Sequence, residues 1–243
     1  DEDYNINPEL IEKAITKKTK AILPVHWSGR ICEMDKILKI SKKYKIPIVE
    51  DACHAIQATY KNKFAGTFGD FGCFSLHPLK NLNVWGDGGF IFTKEKKSYQ
   101  MLKLMRNHGL VSRNKNLIFG YNSRLDTIQA VVGNWLIPKA KQIANKRIKN
   151  AKYLDRNLSN IKEITIPPRI KNNKNVFHLY MVFAKKRDRL YDYCKKKGVE
   201  VKIHYPKPMY LQEALKYLNY KKGDFPITEN HTKKLLLFLV INI

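Results

Sequence analysis

Between Lys20 and Arg106, short apolar runs alternate with segments of helical period, and this alternation constrains the fold more than any other feature. Lys20–His26, Ile46–Glu50, Phe71–Leu76 and Gly89–Thr93 each have the length and composition of a strand. Between the first two, Met34, Ile37, Leu38 and Ser41 with Tyr44 mark the apolar face of a helix. A further helix is predicted over Lys96–Arg106, and Asn7-Pro8-Glu9 reads as a helix start, with Asn as N-cap and Pro at the first helical position. Strands joined by helical crossovers imply a parallel or mostly parallel sheet. The short connection around Gly86–Gly89 allows one antiparallel member.

From Asp126 the pattern changes. One helix carries Ile128, Val131, Val132, Trp135 and Leu136 up to Pro138, and a long lysine-rich helix then runs to about Leu158. Val176–Phe183 reads as a strand, Arg187–Lys197 as a helix stopped by Gly198, and Val199–His204 as another strand. The fold class expected is α/β over residues 1–135, followed by a small α+β domain over residues 136–243.

Several function classes fall away on composition. No run reaches the roughly 18–20 apolar residues that span a bilayer, so no membrane partner is expected. The opening Asp1-Glu2-Asp3-Tyr4 lacks a signal-peptide pattern. Cys32, Cys53, Cys73 and Cys194 are widely spaced, without a CxxC pair or metal-ligand spacing. They read as reduced thiols of a cytoplasmic protein, with Cys53 and Cys73 as buried packing residues and no metal site. The formal net charge is +25, from 46 Lys and Arg against 21 Asp and Glu. The lysines are spread along the whole chain and do not interleave with aromatics as a stacking platform would, so no nucleic-acid partner is expected. A lysine-rich surface that attracts a small anionic substrate accounts for the charge equally well.

One lysine stands apart. Lys80 lies in Phe74-Ser75-Leu76-His77-Pro78-Leu79-Lys80-Asn81-Leu82-Asn83-Val84-Trp85, a rigid and mostly apolar stretch, where a buried charge is costly. Ligands of open α/β sheets bind beyond the carboxyl ends of strands. Asp51 stands at one such end and Lys80 just past another. A carboxylate and an amine in one crevice is what pyridoxal phosphate requires, one for its ring nitrogen and the other for its aldehyde. Spacing alone also allows an ordinary surface salt bridge.

The longer motifs narrow this. Glu50-Asp51-Ala52-Cys53-His54-Ala55, Gly66-Thr67-Phe68-Gly69-Asp70-Phe71-Gly72-Cys73-Phe74-Ser75-Leu76-His77-Pro78-Leu79-Lys80-Asn81-Leu82 and Gly86-Asp87-Gly88-Gly89 resemble blocks of the DegT/DnrJ family of sugar aminotransferases. So do Gly120-Tyr121-Asn122-Ser123-Arg124-Leu125-Asp126-Thr127-Ile128-Gln129-Ala130, His204-Tyr205-Pro206 and Lys222-Gly223-Asp224-Phe225-Pro226. The resemblance implies the large domain of a fold-type I pyridoxal 5'-phosphate transferase, present in part, plus a small C-terminal domain. It implies transfer of an amino group from glutamate or glutamine to a keto group of a nucleotide-activated sugar. Lys80 looks like the internal-aldimine lysine and acid/base, and Asp51 like the partner of the pyridinium nitrogen. His54 looks like a contact to the cofactor ring, and Ser75 like a phosphate ligand. Asn122 resembles the residue that reaches the neighbouring subunit's cofactor, which implies a homodimer with a shared site. Arg124 is a candidate for an anionic substrate, or for capping Asp126. Gly86–Gly89 reads as a turn that brings backbone near the lysine, not as a phosphate cradle.

Two alternatives accompany this reading. One is a pyridoxamine-dependent sugar dehydratase of the same family, a branch that carries His where this chain has Lys80. The other is a basic fragment without catalysis. The family pattern also implies a further N-terminal part, with a phosphate-binding turn and a ring-stacking aromatic, ahead of Asp1. The ending Leu237–Ile243 also departs from the family's usual close, so with the N-terminal part lacking the chain reads as a truncated or frame-shifted gene fragment.

Overall fold

The Asn7 side chain accepts a hydrogen bond from the Glu9 N–H at 2.9 Å, and Pro8 opens the helix α1 (Pro8–Ala14) as the sequence predicts. The structure is a computed structural model and describes residues 3–238. The departure expected at the chain's end lies partly outside the described residues. Contacts divide the chain into two compact units. One holds Asn5–Asn145 with Lys171–His178; the other holds the chain's start, Lys146–Ile170, and Leu179 onward.

In the first unit, β1 (Val49–Asp51) pairs in parallel with β2 (Phe71–Ser75), and β2 pairs antiparallel with β3 (Gly89–Thr93). The mixed arrangement follows from the connections. No helix separates β2 from β3, so the chain turns back on itself. Lys20–His26, expected as a strand, touches this sheet only through isolated parallel bridges, Ile22 to Ile48 and Val25 to Asp51. Pro24 has no N–H to continue a ladder, and Leu23 faces water. Helix α2 (Met34–Tyr44) buries Met34, Ile37 and Ile40 against Ile22, Ile31 and Ile48, the centre of this unit's core. A second apolar cluster joins Leu76, Leu82, Val84 and Ala140, with Val132 and Leu136 packed on it. Helices α3 (Lys96–Met105) and α4 (Thr127–Leu136) match their predicted extents within a residue or two, and α5 (Ala140–Leu158) is the long lysine-rich helix.

The second unit is built on an antiparallel sheet. Its strands are β4 (Ile164–Thr165), β5 (Tyr180–Ala184), β6 (Val201–Lys202) and β7 (Leu235–Phe238), in the order β6-β7-β5-β4. Leu235, Leu236 and Leu237 are fully buried in its central strand. Helices α6 (Arg187–Lys196) and α7 (Pro226–Lys234) accompany the sheet. The buried Arg187 guanidinium donates to the carbonyls of Thr232 and Leu235, closing the otherwise open end of α7. No helix among the described residues is long and apolar enough to cross a membrane.

One glycine in β2 is there for space. A Cβ on Gly72 would lie 2.1 Å from the Gly66 carbonyl oxygen and 2.5 Å from its Cα, so the turn after β1 can approach only bare backbone. Gly72→Ala is expected to destabilise the protein by about 1–3 kcal/mol in urea unfolding, because backbone must move to admit the methyl group. A change within a few tenths of a kcal/mol would show that the turn yields freely.

Candidate active site

β1 ends at Asp51, whose parallel partner on β2 is Cys73. Side chains two apart share a face, so Ser75 at the end of β2 lies on the same side as Cys73 and, by register, Asp51. The Asp51 Oδ1 accepts the Cys53 N–H at 3.0 Å, which fixes the carboxylate just beyond the strand. The Ser75 Oγ accepts the His77 N–H at 3.2 Å, so its own O–H can donate elsewhere.

The lysine turn starts there. The Lys80 N–H donates to the His77 carbonyl at 2.8 Å, and the Leu79 N–H donates to His77 Nδ1 at 3.1 Å. The Asn83 amide donates to the Pro78 carbonyl at 2.7 Å. The two arms are closed by the Val84 N–H on the Leu76 carbonyl, and the Leu76 N–H reaches the Gly88 carbonyl. Gly88 packs closely at this crossing: a Cβ there would meet a Leu125 methyl at 2.8 Å, so the Leu125 side chain would have to shift. The Gly86–Gly89 turn thus brings backbone against the base of the lysine turn, as the sequence suggests. The apolar setting is only partly as expected. Leu82 and Val84 are buried, whereas Leu79 and Trp85 are 76% and 78% exposed.

Lys80 is half-buried, and burial pushes its amine below the ordinary lysine value, while Cys53 and the Asp51 carboxylate push it the other way. Asp51 and Lys80 are therefore within electrostatic reach of each other. Burial, with the hydrogen bond and charge of Asp51, pushes the Cys53 thiol up to about 12, so it stays protonated. Burial and Asp51 raise Cys73 as well. Read from sequence as buried packing residues, these two cysteines are half-buried neighbours of the carboxylate, and neither is a thiolate nucleophile.

His54 has a different set of neighbours. Its Nδ1 accepts the Ser28 N–H at 3.3 Å, and its ring centre lies 5.2 Å from Trp27 and 4.2 Å from His178. Asn122 and Arg124 are exposed. Their segment is pinned beside the end of α3 by the Tyr121 N–H on the Met105 carbonyl and the Ser123 N–H on the Arg106 carbonyl. Among the described residues neither bonds to Asp51, Ser75 or Lys80, and Arg124 forms no ion pair with Asp126. The structure thus groups Asp51 with Lys80, sets Ser75 on the Asp51 face, gives His54 a separate polar cluster, and leaves Asn122 and Arg124 on the surface.

Sequence reading missed three residues around this group. Glu50 is fully buried behind Asp51 and accepts four hydrogen bonds. Asn81, beside Lys80, is 7% exposed. His178 packs on His54 from a segment far along the chain. Only Glu50 carried a signal, a charged residue inside an apolar strand. As a donor set, a half-buried amine, a strand-end carboxylate and a hydroxyl with its proton to spare fit pyridoxal phosphate. Those three groups answer its aldehyde, its ring nitrogen and its phosphate respectively.

The model of the DegT/DnrJ/EryC1/StrS aminotransferase family matches residues 1–240. The chain is 35% identical over 235 residues to a pleiotropic regulatory protein of Geobacillus stearothermophilus, covering 96% of this chain and 63% of the relative. It is 36% identical over 228 residues to the dTDP-3-amino-3,6-dideoxy-alpha-D-galactopyranose transaminase of Aneurinibacillus thermoaerophilus, covering 93% and 61%. The crystal structure of DesV of S. venezuelae in complex with a ketimine intermediate superposes with a TM-score of 0.95 at 31% identity, covering 98% of this chain and 65% of that one. The chain spans under two thirds of the length of these relatives.

Proposed function

The chain belongs to the DegT/DnrJ/EryC1/StrS aminotransferase family, and from that premise we propose that the whole protein is a pyridoxal-phosphate-dependent aminotransferase acting on a nucleotide-activated keto sugar, with glutamate or glutamine as donor. The observation that carries the reading is the half-buried Lys80 amine, held below the ordinary lysine value at the strand ends beside Asp51. The named transaminase among the relatives supports the substrate class.

Bound pyridoxal phosphate supplies an aldehyde carbon and an electron-withdrawing ring. The protein's part is positional and acid/base. Lys80 Nζ would hold the aldehyde carbon and would be the amine that takes up and returns the proton moved during transfer. Asp51 keeps a proton on the ring nitrogen. The Ser75 O–H would donate to the phosphate, and His54 would contact the ring. Asn122, exposed on its own subunit, completes the site of a partner copy in a homodimer, and Arg124 meets an anionic group of the substrate. In this reading residues 1–135 are the cofactor-binding part of a fold-type I large domain, and residues 136–243 are the small domain. Thiols without disulfides suit a cytoplasmic setting.

The test is reductive trapping. Addition of pyridoxal phosphate to the whole protein is expected to give a visible absorbance band, and borohydride is expected to fix the added mass on Lys80. No band, or a mass on a different lysine, overturns the reading.

A further inference from the structure

We propose that Asn81 is a positioning residue for Lys80, tying the lysine turn to the Lys171–His178 segment and so making that segment part of the site. The proposal rests on the reading of Lys80 as the attachment amine. Asn81 is buried, and its Nδ2 donates to the Val176 carbonyl at 3.1 Å across 95 residues of sequence.

The segment it grips is itself held firmly. The Val176 N–H donates to the Gly29 carbonyl at 3.1 Å, and the His178 N–H to the Ser28 carbonyl at 2.9 Å. The Asn173 amide donates to the Ile31 carbonyl at 2.8 Å, and Lys174 pairs with Thr59. Gly29 makes the close pass possible: a Cβ there would meet a Val176 methyl at 2.9 Å and the His54 carbonyl at 3.0 Å. The His178 ring lies 4.2 Å from the ring of His54, whose Nδ1 in turn accepts the Ser28 N–H. A continuous set of contacts therefore runs from the residue beside Lys80, through Val176 and Ser28, to His54.

Packing alone does not explain an asparagine here. Its Oδ1 is buried without a hydrogen-bond partner among the described residues, which costs about 1–3 kcal/mol that an apolar side chain of similar size would avoid. The other polar ties of the turn, through His77 and Asn83, lie within the turn itself. Among the described residues of the turn, Asn81 is the one whose side chain bonds to a segment distant in sequence, and it stands next to the lysine.

The test is acetic anhydride labelling of the cofactor-free full chain across a pH series, with mass spectrometry comparing Lys80 with the exposed Lys103. The variants are Asn81→Ala and Asn81→Leu; the latter fills the space without a donor or a charge. In the unsubstituted chain Lys80 should label with a lower pH midpoint than Lys103. In both variants its midpoint should rise by about half to one pH unit, as the freed turn lets the amine into water. An unmoved Lys80 midpoint in a folded variant overturns the proposal, and so does failure of both variants to fold, which would make Asn81 purely structural. The cofactor reading fails separately: absence of trapping together with a shifted midpoint would sink that reading and leave the tie between Asn81 and Lys80 standing.

Discussion

Lys80→Ala is expected to remove the visible absorbance band of the cofactor-loaded protein and to lower amino transfer by about 10²–10⁴-fold. Lys80 does two jobs in the proposed reaction, and alanine does neither. Without the amine there is no covalent attachment, so the band and the trapped mass are lost together. Without a base at that position, the proton that must move has no side chain to carry it. Neighbouring groups do not substitute. Cys53 and Cys73 are both held in the protonated thiol form, and in the proposed reaction Asp51 serves the ring nitrogen. A three-order loss corresponds to about 4 kcal/mol of barrier. Added methylamine should restore part of the rate in proportion to its free-base concentration, because a small amine can occupy the truncated space and move the proton. Rescue of this kind separates proton transfer from packing. A Lys80→Ala variant that keeps the band and turns over within tenfold of the unsubstituted enzyme would move the chemistry to another residue.

Local signals carried the fold well where each element is determined by its own residues. The Asn7-Pro8 cap and the strand Gly89–Thr93 lie where capping and composition put them, and α2 buries Met34 and Ile37 as its period predicts, although its last buried residue is Ile40 and Tyr44 faces water. The readings fell short where the partner decides the structure. Val176–Phe183 reads as one strand, but pairing in the β5 ladder begins only at Tyr180. The first residues of that run bond instead to a loop at Ser28 and Gly29, a partner that no pattern in the run itself encodes. Of the run Val199–His204, only Val201 and Lys202 are strand, paired with Phe238 and Leu237 of β7. In the site, Asp51, Ser75 and Lys80 were legible because strand ends and motif spacing place them. Asn81 and His178 were not, because their meaning comes from contacts across roughly a hundred residues or more, and long-range contact leaves no trace in local composition.

Glu50→Gln should cost about 3–5 kcal/mol of folding stability, a large share of the roughly 5–15 kcal/mol that a domain has. Glu50 and Asp51 are adjacent in β1, so they face opposite ways, one toward the proposed chemistry and the other into the interior. The buried carboxylate is fully used. Its Oε1 accepts the N–H groups of Phe68 and Gly69 at 2.6 Å each, and its Oε2 accepts the Gly66 N–H at 2.8 Å and His26 Nε2 at 2.9 Å. His26 Nδ1 accepts the Cys32 N–H, so Nε2 is the nitrogen that donates. All four contacts are donors, and a carboxylate is the one side chain of this shape with only acceptors to offer. Glutamine must turn an NH₂ toward either the Phe68–Gly69 pair or the Gly66–His26 pair, setting donor against donor in a dry site. Urea unfolding should show a lower midpoint with an unchanged slope, and a loss under 1 kcal/mol would mean that water or a shifted backbone relieves the mismatch. The pH dependence provides an independent check. Burial alone would raise the Glu50 carboxyl, but His26 and the backbone N–H donors outweigh it and hold it below the ordinary glutamate value. A carboxyl depressed on folding contributes its full stabilisation above the unfolded value and loses it as pH falls through the folded value. The difference in stability between the unsubstituted protein and Glu50→Gln should therefore be greatest near neutral pH and shrink as acid is added below about 4.5, because there the unsubstituted protein also carries a proton where four donors converge.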